Sequence, residues 1–355
     1  MTLNSSLAFT QVLDNEAGPL KSADKYRFIV PGFNLCYSGQ GILGLFSVIV
    51  FDVKGNVPAI EQLRNQLDDR NALYLSAGNP SLRQEIRNTL NPRITLFQGK
   101  TNRLTFDGNF SATIHPITAK RIFYASDTHL ESWGGYDIKA GSTLNTWDNA
   151  PYALSLSPML NYSDRIQKIR SNLKLTAGFS YNLRPQYISE NLAKMSEWAP
   201  SVSGALYYSP SQLTRLALSH NVTYVHSYNN IGQEMPDALS NNLKFSGIWR
   251  FFKRFLVRGE YSFIAHNYIG NQYPDVYLHR LDAMVSVSLL KGRLGISISG
   301  NDLLNRGNAF STITDANYRE TSYTPSYGRY FMLNVVFRLN KTSPKTSFWG
   351  VTVTG

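Results

Sequence analysis

"LKLTAGFSYNLR", Leu173 to Arg184, sorts its residues by parity. Leu173, Leu175, Ala177, Phe179, Tyr181 and Leu183 form one set, and Lys174, Thr176, Gly178, Ser180, Asn182 and Arg184 the other. A period of two places successive side chains on opposite faces of a β-strand, so this stretch has one apolar and one polar face. "GRYFMLNVVFRLNK", Gly328 to Lys341, repeats the pattern: Phe331, Leu333, Val335, Phe337 and Leu339 oppose a mixed face that carries Asn334 and Arg338. In "RLTFDGNFSATIH", Leu104, Phe106, Phe110, Ala112 and Ile114 oppose Arg103, Thr105, Asp107, Asn109 and His115.

About fourteen such runs follow one another, beginning near Leu3, Lys25, Ile42, Glu85, Arg103, Pro151, Asn172, Pro200, Leu213, Asn242, Arg254, Val276, Arg293 and Arg329. Many are about ten residues or longer. Strands of soluble domains centre on about five or six residues, whereas a tilted strand crossing a bilayer needs about 9–11. The connections alternate in length. Short ones lie at Ser38, Gly99, Asp164, Ser209, Lys253 and Lys291; long polar ones run Leu13 to Asp24, Lys54 to Gln84, Pro116 to Ala150, Pro185 to Ala199, Asn229 to Ser240, Ile269 to Asp275 and Leu303 to Gly328. Tight turns at one end and long loops at the other predict an all-β transmembrane antiparallel β-barrel, with short periplasmic turns and long extracellular loops. The apolar face then looks at lipid and the polar face at the barrel interior. A soluble sandwich also alternates, but gives no reason for such long strands or for short and long connections in turn. Tyr330 with Phe331, Tyr277, Trp249 with Phe251 and Phe252, and Tyr207 with Tyr208 fall near strand ends, where interfacial aromatic girdles sit.

Composition narrows the function. The net charge of +11 is dispersed, with no basic run and no basic–aromatic platform, which argues against nucleic acid as a partner. The one cysteine, Cys36, cannot form an internal disulfide and reads as a small buried or lipid-facing hydrophobe. No apolar run is long enough for a membrane helix; "ILGLFSVIVF", Ile42 to Phe51, comes nearest. The first residues lack the features of a signal peptide.

Between Val57 and Glu85 the chain reads "VPAIEQLRNQLDDRNALYLSAGNPSLRQE". This resembles the "RPsieqL" and "GNPxLxPE" elements of TonB-dependent outer-membrane receptors, in the outer membrane β-barrel family abundant in Bacteroidetes-type bacteria. Pro58 and Leu63 match the first element, and Gly78, Asn79, Pro80, Leu82 and Glu85 the second; Val57 and Gln84 depart from it. "VPGFNLCYS" upstream, "NDLLNR" with Asn301 and Asp302, and the final "RYFMLNVVFRLN" with Phe337 are similar to further elements, so the resemblance runs from Tyr26 to Asn340. It implies a receptor with a signal peptide, a plug inside the barrel, a coupling box that engages TonB, and about 22 strands. Against that pattern the chain reads as an incomplete barrel domain over 1–341, without the plug, followed by a C-terminal tail over 342–355. The implied partners are outer-membrane lipid, the barrel-assembly machinery, and TonB only through a plug domain.

No catalytic constellation is visible and the chain does not read as an enzyme. The histidines lack metal-ligand spacing, and no cofactor is expected. Asp127, His129 and Glu131 read as a solvated loop. Arg215, Arg258, Glu260, Arg280 and Asp282 fall on polar faces of late strands, where Arg258/Glu260 beside Arg280/Asp282 predicts a charge ladder for interior hydration, plug contact or ligand contact. The loops Lys54 to Gln84 and Leu303 to Gly328 are the expected ligand readers, with the Asn and Gly of "GNP" setting a turn. The sequence therefore predicts an outer-membrane barrel segment of a TonB-dependent receptor for a scarce solute such as an iron chelate or glycan product. A passive porin-like channel and a non-functional barrel remnant are the alternatives.

Overall fold

The computed structural model describes residues 2–14, 26–39, 46–131, 135–188, 190–231, 236–252, 254–270, 274–306, 309–314, 319–324 and 327–339. The tail over 342–355 and most of the first long loop, Leu13 to Asp24, lie outside them, as does the side chain of Cys36. Fourteen long strands form a meander within the main sheet: β1 (Thr2–Asp14), β2 (Tyr26–Gly39), β3 (Phe46–Asn56), β6 (Glu85–Gln98), β7 (Asn102–Ile114), β12 (Tyr152–Ile166), β13 (Ser171–Ile188), β14 (Asn191–Ser211), β15 (Thr214–Asn229), β16 (Asp237–Phe251), β17 (Phe255–Ile269), β18 (Val276–Leu289), β19 (Leu294–Asn301) and β22 (Tyr330–Phe337). Each pairs antiparallel with the next, from β1 on β2 through to β19 on β22. Among the described residues β1 and β22 do not pair with each other, so the meander stays open.

Register builds continuous apolar rows on one face. Leu173, Leu206, Leu218, Phe245, Tyr261 and Leu281 stand opposite one another across six strands. Trp249, Val257, Val285, Ile298 and Leu333 form a second row nearer the turns. These residues are outside, not inside. Val285 is 51% exposed whereas its chain neighbour Ser286 is 5% exposed, and Ile298 is 56% exposed beside Ser297 at 4%. Small polar residues on the tighter side and branched apolar ones on the open side are what a sheet curled toward its polar face produces. A soluble protein has the opposite arrangement.

The turn end matches the predicted short connections: residues 99–101, the 3-10 turn Gln167–Ile169 with Arg170 in the left-handed region, residues 212–213, and the 3-10 turn Leu290–Gly292. At the other end one expectation fails. Pro185 to Ala199 is not a long loop, because β13 and β14 pair without interruption from Ser171↔Tyr208 to Ile188↔Asn191. Both prolines that flank this stretch are accommodated. Pro185 lies beyond the last pair of β13 with β12, Leu154↔Leu183, so its missing N–H costs no ladder bond there. Pro200 falls where the pairing of β14 with β15 skips between Trp198 and Ser201.

Two other long connections carry structure of their own. Residues 57–84 contain a four-residue helix, α1 (Ile60–Leu63), β4 (Leu67–Asp68) and β5 (Tyr74–Ala77); residues 116–150 contain β8 (Ile117–Phe123), β9 (Thr128–Leu130), β10 (Tyr136–Ile138) and β11 (Thr143–Asn149). A last hairpin, β20 (Ala309–Thr314) with β21 (Arg319–Thr324), stands in the connection before β22.

Exchanging Val202 for arginine on the exposed apolar face of β14 should lower stability in lipid vesicles by about 2–4 kcal/mol if the site lies near the bilayer midplane. Ser203→Arg, on the polar face, should cost well under half of that. Equilibrium urea titration of the vesicle-inserted protein reads both values, and equal penalties would contradict the assignment of faces.

Candidate functional site

The long-loop end carries a compact platform rather than slack chain. β11 pairs antiparallel with β8 and parallel with β5, so Thr143 has Tyr74 on one side and Phe123 on the other. One residue further, Leu144 lies between Leu75 and Ile122, facing the other way. Leu75, Ala77, Ile138 and Leu144 are buried there, with Leu67, Ile122, Tyr124, Leu130 and Tyr136 packed around them. The β9–β10 hairpin thus covers one face of the small sheet and leaves the other to solvent. On the free face Tyr74 is 66% and Phe123 60% exposed. With one strand between them, the two ring-bearing positions are about 10 Å apart. Asn145 and Arg121 follow on the same face, again paired in register.

The family-type motif positions hold this platform together. Gly78 donates its N–H to the Arg64 carbonyl at 3.0 Å and Asn79 to the Gln62 carbonyl at 2.6 Å. A Cβ on Gly78 would come within 2.5 Å of the Arg64 carbonyl oxygen, so only glycine fits. Asn79 Nδ2 reaches the Trp147 carbonyl at 3.0 Å, and its Oδ1 accepts from the Ser81 N–H at 2.9 Å. The "GNP" stretch therefore sets a turn, as the sequence implied. Pro58, Leu63 and Leu82 are buried beneath it and Pro80 is exposed. Glu85 Oε1 accepts from the Ile117 N–H at 2.7 Å, tying β6 to the start of β8. Asn149 clamps the two loops by accepting from the Arg83 N–H at 2.6 Å and donating to the Arg83 and His115 carbonyls at 3.0 and 2.9 Å. On the loop surface, hydrogen bonds from Arg70 hold the Asp68 carboxyl down to about 2, and the Ala140 N–H with Lys139 lowers that of Asp127. His129 lies in the β9–β10 hairpin, 2.6 Å from Asp137.

The polar face of the sheet carries the expected charges in a different order. Glu260 stands directly opposite Asp282, while Arg258 faces Met284 and Arg280 faces Ser262. The four expected charges share the polar face of adjacent strands, and register sets acid against acid across them. Lys244 relieves this by approaching Glu260 at 2.6 Å, with Arg258 at 3.8 Å. Asp282 takes Arg280 at 2.9 Å and the Asp302 N–H at 2.8 Å. Asp302 is buried at positive φ, its Oδ1 accepting from the Arg306 N–H at 3.1 Å. Asn301 pairs with Tyr330, and Asn305 accepts from the Arg329 N–H at 3.0 Å, so "NDLLN" closes the base of the last long loop. Phe337 faces outward at 56% exposure, opposite Leu294.

Arg215 is separate, near the turn end. Sequence reasoning missed the network in which Arg93 meets Asp107 at 2.5 Å, Asn161 donates to Asp107 at 2.9 Å and Thr176 to Asn161 at 2.8 Å. Its residues come from four strands, and parity within one strand cannot reveal it. Of the proposed girdle, Trp249, Phe251, Tyr208, Tyr277 and Phe331 follow the apolar face. Tyr207 and Tyr330 have the parity of the polar face, and Tyr207 instead lies under the Lys174 ammonium at 5.6 Å. Gly78→Ala should loosen the platform, and Leu75→Ala should cost it about 2–5 kcal/mol through the cavity left behind. Limited proteolysis of the membrane-inserted chain should then cut between residues 57 and 84 at least tenfold faster than in the parent, and unchanged cutting would refute the packing described.

Comparison with known proteins bears on the fold. No curated protein matches the chain. The outer membrane protein beta-barrel family does match, over residues 52–337, from the end of β3 to the end of β22. That span takes in the platform loops, the paired interior wall and the outward apolar rows, and we conclude that the chain belongs to the outer membrane protein beta-barrel family and crosses the outer membrane as a multi-pass β-barrel.

Proposed function

We propose that this chain is the barrel portion of a TonB-dependent receptor that captures a scarce solute, an iron chelate or a glycan-type ligand, at its long-loop end. The observation that carries the reading is the platform: two loops far apart in sequence are locked into one small sheet whose free face presents Tyr74 and Phe123. Ordering that much extracellular chain is costly, and rigid loops on a barrel scaffold are where recognition is built. Flat faces of the two rings suit stacking on a sugar ring or on the aromatic arms of a chelate. Arg121 and Asn145 add polar contacts on the same face. Coupling to TonB belongs to a plug-type domain and not to these strands, and no residue is assigned a catalytic role.

A passive channel is the second reading, favoured by the consecutive fourteen-strand meander if β1 closes on β22 in the membrane. Binding and conductance separate the two. For the full chain reconstituted in lipid, titration with a panel containing ferric citrate and maltoheptaose, followed by tryptophan fluorescence, should give saturable binding to at least one member. Tyr74→Ala combined with Phe123→Ala should weaken it about tenfold or more. Steady ion current in planar bilayers without saturable binding would favour the channel.

A further inference from the structure

Many cations of the polar wall have an acid in reach. Arg93 meets Asp107, Arg184 meets Glu197, Lys244 meets Glu260 and Arg280 meets Asp282. Near the turns of β12 to β15 this rule stops. Arg165, Lys174 and Arg215 have the parity of the polar face, and register surrounds them with neutral residues. Arg165 faces Asn172, Lys174 faces Ser163 and Ala205, and Arg215 faces Ile248. No ion pair to a carboxylate forms at these three among the described residues.

The three cations line a cavity of about 900 Å³ together with Arg170, Tyr207 and hydroxyl and amide donors that include Ser163 and Asn172. Four cationic side chains meet one carboxylate there, that of Asp164, whose Oδ1 is buried without a hydrogen-bond donor. Lys174 is held over the Tyr207 ring, and Arg170 is anchored by its Nη1 bond to the Pro210 carbonyl at 2.6 Å. Four cations against one carboxylate leave an excess of positive charge whose repulsion an entering anion relieves. Guanidinium forks match phosphate and carboxylate oxygens in pairs. The volume falls in the range of small-molecule sites, roughly 300–1,000 Å³.

We propose that this turn-side cavity on the interior wall binds a soluble multivalent anion, a small molecule bearing several phosphate or carboxylate groups. The assignment does not depend on what the long-loop platform recognises. It is distinct from attraction of lipid headgroups to the turns, because Lys174 and Arg215 share the face opposite Leu173, Leu206 and Leu218.

The test uses the full chain purified in neutral detergent and inorganic tripolyphosphate as probe, by isothermal titration at fixed ionic strength. Tripolyphosphate should bind at least tenfold more tightly than monomeric phosphate. Lys174→Gln with Arg215→Gln should abolish that preference, whereas Arg184→Gln, at a paired site, should leave it intact. The unaltered chain gives an independent readout: tripolyphosphate should protect Lys174 from an amine-acylating reagent more than it protects Lys244. Equal binding of the two phosphates, or no protection of Lys174, would overturn the proposal. Displacement of tripolyphosphate by phosphatidylglycerol in mixed micelles, dependent on Lys174 and Arg215, would give the site to a lipid headgroup and also overturn it.

Discussion

The sheet has an apolar face that none of the described residues covers, and every other feature follows from that. Rows such as Trp249, Val257, Val285, Ile298 and Leu333 run across neighbouring strands without a second layer above them. The buried apolar cluster around Leu75 and Ile138 lies on the short strands of the long connections rather than on the fourteen long strands. Exposed to water, such rows would forfeit about 25 cal/mol for each Å² of apolar surface. Lipid removes this penalty, and then demands that backbone polar groups be satisfied within the sheet. Long antiparallel ladders meet that demand for the interior strands. The free edges of β1 and β22 do not meet it on their own, so in the membrane they must pair, with each other or with further strands.

The same constraint divides labour between the two faces. Lipid-side positions need only be apolar, so they vary among Leu, Val, Ile and Phe without interlocking. Polar-side positions form local networks, as from Arg93 through Asp107 and Asn161 to Thr176. Each exposed ion pair in such a wall contributes little, about 0–1 kcal/mol, so the networks hydrate the interior and hold register more than they stabilise the fold. Departures from pairing are therefore more informative than pairs. Among the described residues, the acid-poor cavity around Lys174 and the uncovered Tyr74–Phe123 face depart most clearly from that pairing and packing.

Most of the transmembrane part was legible in the sequence, because one rule, parity, decides it. Strands begin where alternation begins: at Glu85 and Val276 as expected, and within a residue of Arg254 and Arg329. The rule failed between Pro185 and Pro200, where a long connection was expected. β14 starts at Asn191 rather than Pro200, because one strand edge there needs no donor. It also failed for the platform. Thr143 is flanked by Tyr74 and Phe123 through a parallel and an antiparallel pairing between separate loops, and such long-range register leaves no local trace. The turn at Gly78 and Asn79 was legible in the motif, whereas the buried, positive-φ role of Asp302 became clear only from the atoms that surround it. Which of the four wall charges stand opposite was likewise not legible, because it is fixed by hairpin register and not by spacing within a strand.

Whether the apolar face meets lipid is tested most directly by spin-label accessibility along β13 in vesicles. Single cysteines at each position from Leu173 to Arg184, on a Cys36→Ser background, would be scanned for collisions with oxygen and with a water-soluble nickel chelate. A period of two is predicted, with oxygen favoured at Leu175, Ala177, Phe179 and Tyr181 and the chelate favoured at Thr176, Gly178, Ser180 and Asn182. Accessibility without alternation, or chelate contact at Phe179 equal to that at Ser180, would contradict the account.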